Sequence, residues 1–208
     1  MTHILAISSS PNPATSHSKK LIDTFIACWA PEDETLQVTH RDIGTQPPVH
    51  LDADTINAFY SPSENLTDQQ LTLTSYSNDI IAEVEAADII VIGAPMHNFG
   101  IPSALKAWID HLARVGKTFI YTENGPKGLL TNKQVVVLGA RGGNYSETSH
   151  LKSMDQQTPF LKTALGFVGL SEIHFIYAEG MASDQDGMET AKRAVDMLVH
   201  SLTAKQAA

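Results

Sequence analysis

Cysteine is almost missing from this chain: Cys28 is the only one, so no disulfide can close within it. A single thiol beside an apolar helical run reads as packing. Basic residues are scarce too, 14 Lys and Arg against 23 Asp and Glu, for a net charge of −9 with His neutral. Counterion release to nucleic acid, or attraction to an anionic membrane, needs the opposite sign, so neither partner is expected. No apolar run is long enough to span a bilayer, and Met1-Thr2-His3-Ile4-Leu5-Ala6-Ile7 lacks the basic start of an export signal. A cytoplasmic protein is the expectation, and Asn65-Leu66-Thr67 and Asn144-Tyr145-Ser146 are then chance glycosylation matches. Histidines such as His3, His17 and His111 show no metal-ligand spacing, so no metal is expected.

What is present suffices for a core. With 42% hydrophobic residues over 208 positions, the chain fits one domain spanning 1–208. Ile4 to Ser8 reads as a strand stopped by Ser8-Ser9-Ser10-Pro11-Asn12-Pro13. Leu21, Ile22, Phe25, Ile26 and Trp29 then recur at helical spacing, with Ser16 or Ser18 as the cap. Leu36 to Ile43 alternates with period two, as a strand near a sheet edge does. Gly44 to Leu66, with Pro47, Pro48 and Pro62, reads as a long polar excursion whose length signals function or oligomer contact. Thr67 and Gln70 make a capping box, and the apolar positions Leu71, Ile80, Ile81 and Val84 carry a helix to Ala87.

Ile89-Ile90-Val91-Ile92-Gly93-Ala94 is continuously apolar and β-branched, the pattern of a central strand covered on both faces. A helix from Pro102 to Val115, closed by Gly116, follows. Next come a strand at Gln134 to Gly139, a helix ending over Phe160 to Val168, a strand at Ile173 to Ala178 and a final helix from Met188 to Leu202. Five strands alternating with helices predict an α/β, doubly wound parallel sheet, in which ligands sit at the carboxyl ends of the strands.

The loops at those ends carry the candidate chemistry. Ser9, Ser10, Thr15, Ser16 and Ser18 precede a helix whose free N–H groups favour an anion, so this loop reads either as a phosphate cradle or as an ordinary capped turn. Gly116-Lys117-Thr118 resembles the tail of a P-loop, but His111 stands where the leading glycine belongs, and a helix precedes it. No Gly-x-Gly-x-x-Gly follows the first strand, so a resident dinucleotide lacks its fingerprint and a mononucleotide, FMN, fits better. Ala140-Arg141-Gly142-Gly143 offers backbone N–H groups to a flat ligand, or is a plain turn. Pro95-Met96-His97-Asn98-Phe99-Gly100 mixes apolar, basic, amide and aromatic groups in a way unusual for a simple turn.

Taken together, Ser10 with Ser16-His17-Ser18, Ala94 to Pro102, Phe119-Ile120-Tyr121-Thr122-Glu123-Asn124-Gly125-Pro126, Arg141-Gly142-Gly143 and Leu165-Gly166-Phe167 resemble the FMN-dependent NADH azoreductases, a branch of the flavodoxin-like quinone reductases. The resemblance runs nearly end to end. It implies a flavodoxin-like homodimer with FMN at the interface and a ping-pong reaction. NADH or NADPH reduces the flavin and leaves, and a quinone or an aromatic azo compound takes the electrons. By position, it assigns Ser10, Ser16, His17 and Ser18 to the FMN phosphate and ribityl chain. Pro95, Met96, His97, Asn98 and Phe99 fall to the ring, and Ala140, Arg141, Gly142 and Gly143 to its pyrimidine side.

Asn98, Tyr121 and Phe167 would meet substrate, the last two crossing from the partner subunit, although Phe167 also suits plain core packing. Two positions depart from the family. His97 stands where Tyr is usual, as a candidate proton donor or a ring merely packed by the flavin, and Ile120 stands where Arg is frequent. Alternatives to the enzyme are a flavodoxin-type electron carrier, which a charge of −9 would suit, and a flavin reductase releasing its product.

Overall fold

The computed structural model describes residues 1–183 and 186–206. In chain order the elements are β1 (His3–Ser8), α1 (His17–Trp29), β2 (Gln37–Asp42), α2 (Ala53–Tyr60), α3 (Asp68–Ala86), β3 (Ile89–Pro95) and α4 (Ser103–Leu112). There follow β4 (Phe119–Thr122), β5 (Gly125–Gly128), β6 (Gln134–Ala140), α5 (Gln157–Phe167), β7 (Glu172–Ala178) and α6 (Gly187–Gln206). Five strands form a parallel sheet in the order β2-β1-β3-β6-β7, and β4 and β5 pair as a separate antiparallel hairpin.

The sheet explains why its inner strands read as unbroken apolar runs. Alternate side chains enter opposite cores: Leu5, Ile7, Ile90, Ile92, Val135 and Val137 pack with Ile80, Trp108 and Leu161 of α3, α4 and α5. Their neighbours Ile4, Ile89, Val91 and Val136 pack with Phe25, Trp29 and Val195 of α1 and α6. Each such side chain, fully buried, stabilises by roughly 1.5–3 kcal/mol before chain entropy is counted. β3 is the middle strand, as its composition predicts, and β2 lies at an edge with a wetter surface.

Local signals set most boundaries. Ser16 caps α1, its Oγ accepting the Lys19 N–H at 3.1 Å, and the Thr67/Gln70 capping box opens α3. Leu71, expected on the apolar stripe of α3, is instead exposed. Three further differences have physical causes. The excursion from Gly44 to Leu66 contains α2, started by the Asp52 carboxylate accepting the Thr55 N–H at 2.8 Å. The helix expected to reach Val115 stops at Leu112, because Thr118 Oγ1 takes the Arg114 N–H at 2.9 Å and donates to the Leu112 carbonyl at 2.7 Å. The β4–β5 hairpin, hidden by Gly125, Pro126 and Gly128, docks on the end of α5. A Cβ on Gly128 would come within 2.1 Å of the Gly169 backbone nitrogen, so only glycine allows that approach.

The chain passes from β1 outward to β2, then returns to β3 on the other side of β1. That reversal leaves a crevice at the carboxyl ends of β1 and β3, where the connections to α1 and α4 diverge.

Candidate functional site

A cleft of about 240 Å³ opens at this reversal, lined by Ser10, Ser16, His17, Pro95, Gly142 and Met181 among others. Its first wall is the β1–α1 loop. Ser9 is fixed below it, its N–H and hydroxyl both donating to the Gly93 carbonyl, at 3.2 and 2.7 Å. Gly44 presses against Ser10 so closely that a Cβ would lie 2.0 Å from the Ser10 carbonyl oxygen. Ser16 and Ser18 are buried with their hydroxyls 3.1 Å apart. The Lys19 and Lys20 N–H groups are taken by Ser16, and among the described residues those of His17 and Ser18 meet no acceptor. Unpaired N–H groups at the start of a 13-residue helix, beside two hydroxyls, are a donor set that suits an anion.

The second wall follows β3. Met96 continues the ladder, donating to the Ala140 carbonyl at 2.9 Å. His97 and Gly100 then exchange both backbone hydrogen bonds at 3.0 Å around Asn98 and Phe99. Those two residues have φ of 47° and 71°, so this is a type I′ turn made without glycine at either centre. Such a conformation persists only where its surroundings impose it. One constraint is visible: the Phe99 carbonyl accepts the Gln156 N–H at 3.1 Å. His97, Asn98 and Phe99 are left exposed, and the His97 ring forms no hydrogen bond to a described residue.

The third wall follows β6. Gly142 and Gly143 bond the segment after β7 through their carbonyls, to the Ala182 and Gly180 N–H groups at 3.1 and 3.0 Å. Their own N–H groups meet no acceptor among the described residues, which leaves two donors for a ligand. Arg141 does something the sequence did not suggest. Although it lines the cleft, its side chain is 1% exposed and is engaged in a buried cluster. Its guanidinium pairs with Asp155 at 3.3 Å and Glu179 at 3.2 Å, donates to Gln157 and Thr158 at 3.1 and 2.9 Å, and lies 3.3 Å from the centre of the Tyr177 ring.

This cluster ties the second and third walls together. The Gln157 side chain donates to the Ala94 carbonyl at 3.0 Å, and Glu179 accepts the Tyr145 N–H at 3.0 Å. Burial by itself would raise the Asp155 carboxyl. Hydrogen bonds from Thr158, the Arg141 charge and the Gln157 N–H outweigh it and hold the group below the usual carboxylate range. Burial pushes the Tyr177 hydroxyl up to about 12, against the opposing pull of Arg141.

Tyr121 and Phe167 do not line this cleft. They lie together elsewhere, each against Phe119, with ring centres 5.5 and 4.5 Å apart from it. Tyr121 is 69% exposed and Phe167 is exposed as well, so the core-packing reading of Phe167 does not hold. Met181, Asn12 and the Asp155–Glu179 cluster were missed. Only the position of Asn12 and Met181 after sheet strands could have pointed to them.

Residues 2–200 match the family model described as Flavodoxin-like fold. Over 202 residues the chain is 43% identical to an FMN-dependent NADH:quinone oxidoreductase of Herminiimonas arsenicoxydans, covering 97% of this chain and 98% of that protein. It is 42% identical over 203 residues to the protein of the same name from Hydrogenovibrio crunogenus, covering 97% and 100%. Among solved structures, an azoreductase from Bacillus anthracis str. Sterne matches with a TM-score of 0.85 at 28% identity, over 99% of this chain and 100% of the other.

Proposed function

Since this chain belongs to the FMN-dependent NADH:quinone oxidoreductase family of flavodoxin-like fold, we propose that its cleft holds FMN and that it reduces quinones, or cleaves aromatic azo bonds, with electrons from NADH. The observation that carries this reading is the set of unpaired donors on facing walls. The N–H groups of His17 and Ser18, with the hydroxyls of Ser10, Ser16 and Ser18, suit a phosphate monoester and its ribityl chain. Across the cleft, the Gly142 and Gly143 N–H groups suit the polar edge of a flat ring.

Bound FMN would supply the hydride chemistry that carries electrons from NADH to the acceptor. The chain binds, orients and tunes. Gly142 and Gly143 would offer their N–H groups to negative charge on the ring. Pro95, Met96, Asn98 and Phe99 would hold the ring, and we assign His97 a backbone role in fixing that turn. The buried Arg141 cluster is a positioning device: it holds the second and third walls at fixed spacing without needing to touch the ring. We further propose a cytoplasmic homodimer in which Tyr121 and Phe167 of one subunit cover the acceptor face of the other. Among the described residues no helix is long and apolar enough to cross a membrane. Two exposed aromatics, Tyr121 on the docked hairpin and Phe167 at the end of α5, are superfluous in a simple electron carrier and favour the enzyme reading.

The visible spectrum tests this directly. Purified protein should retain added FMN, bleach on anaerobic addition of NADH, and recover its colour when a quinone is added. Protein that neither retains FMN nor passes NADH electrons to it overturns the reading. Bleaching without recovery by quinone removes the acceptor half.

A further inference from the structure

Between α2, α3 and the chain leaving α4 lies a second cleft, of about 420 Å³, that shares no lining residue with the first. Arg114 lines it while only 5% exposed. One Nη donates to Asn78 Oδ1 at 3.0 Å and to Ser77 Oγ at 3.3 Å, and the Nε has no hydrogen-bond partner among the described residues. Among the described residues no carboxylate pairs with this guanidinium. Asp110, which lines a smaller adjoining cavity beside Arg114, is engaged by Lys106 at 2.6 Å. Lys117 reaches the same cleft and donates to the same Asn78 Oδ1 at 2.8 Å. Two cations therefore converge on one neutral amide oxygen. The remaining wall is largely apolar, with Phe59 4.3 Å from the Arg114 guanidinium carbon, and Leu71 and Val115 alongside.

A guanidinium keeps its charge at neutral pH, and a buried charge without a counter-ion is costly. A second cation nearby adds repulsion. One oxyanion lodged between them would relieve both, and the planar fork of an arginine matches the two oxygens of a carboxylate or sulfonate. The apolar wall adds a second requirement, since a small inorganic anion makes no use of it, whereas a flat hydrophobic body does. We propose that this cleft binds an aryl carboxylate or aryl sulfonate, with its oxyanion between Arg114 and Lys117 and its ring against Phe59 and Leu71. The site is independent of the flavin cleft and of the activity assigned to it.

Isothermal titration of the full chain with 2-naphthoate, using 2-naphthamide as the uncharged control, tests it. Titrations with and without excess FMN separate this cleft from the other one. One equivalent of 2-naphthoate should bind per chain, unaffected by FMN and about tenfold or more tighter than the amide, as a charge-assisted pair implies. Lys117→Met should weaken binding about fivefold, and Arg114→Met should erase the preference for the acid. Equal affinity for acid and amide, no binding of either, or variants that bind as the parent does each overturn the proposal. If Arg114→Met does not fold, Lys117→Met at the rim decides alone. Should Lys117→Met instead weaken self-association in sedimentation while 2-naphthoate fails to bind, the cations serve a second copy of the chain and the proposal is wrong.

Discussion

Arg141 and Arg114 are both buried, and each guanidinium lies near an aromatic ring, 3.3 Å from the centre of Tyr177 in one case and 4.3 Å from that of Phe59 in the other. Their surroundings differ in charge. Arg141 faces two carboxylates and uses its remaining donors on Gln157 and Thr158, so its positive charge is neutralised inside the molecule. Among the described residues the Arg114 side chain donates only to the neutral Ser77 and Asn78, with Lys117 close by. The first is an internal strut whose removal strands its partners. The second keeps an unmatched charge beside an open cleft, at a cost the fold alone does not explain.

The largest effect expected from breaking this contrast is at Arg141. Arg141→Met leaves the Asp155 and Glu179 carboxylates without their cation, and deleting one member of a buried pair costs about 3–5 kcal/mol. The urea midpoint should fall accordingly, with loss of FMN retention because the walls are no longer tied. Next comes acidity. Asp155 has its folded-state pKa below the unfolded value, so its stabilisation is complete above roughly pH 4 and disappears as pH falls through the folded value. The stability gap between the parent and Asp155→Asn should therefore be wide at pH 7 and close on acidification; a gap independent of pH would mean that the carboxylate charge is not what holds Arg141.

Arg114→Met should change stability by less than about 1.5 kcal/mol, since it strands no buried charge, forfeits hydrogen bonds only to neutral acceptors and removes an unmatched buried cation. A loss as large as that at Arg141 would erase the contrast. Smallest of all, Lys117→Met removes an exposed side chain and should stay within about 0.5 kcal/mol in thermal unfolding.

The contrast also marks what the amino-acid order reveals. Local signals were legible: the period-two and continuous apolar strands, the Ser16 cap, the Thr67/Gln70 box, and the loops that converge because parallel strands all end on one side. α2 was not, because Pro47, Pro48 and Pro62 around it mask a helix of only eight residues. Arg141 was legible as a loop position but not as a strut, since Asp155 and Glu179 lie 14 and 38 residues further on and no local pattern joins them. Arg114 was passed over for a similar reason. Around it the sequence offers only a failed P-loop tail, and whether a carboxylate meets a buried cation is decided by tertiary packing.

The turn at Asn98 and Phe99 has a consequence for how this chain can change. Both positions hold a backbone shape that glycine would adopt more cheaply, so a library screened for heat resistance alone should drift toward glycine at each. Every such gain would remove a side chain from the rim of the cleft. A lineage selected on turnover should keep bulk at both places and accept the strain. Sequencing the two kinds of survivor would then separate, position by position, what folding asks of this loop from what its ligand asks.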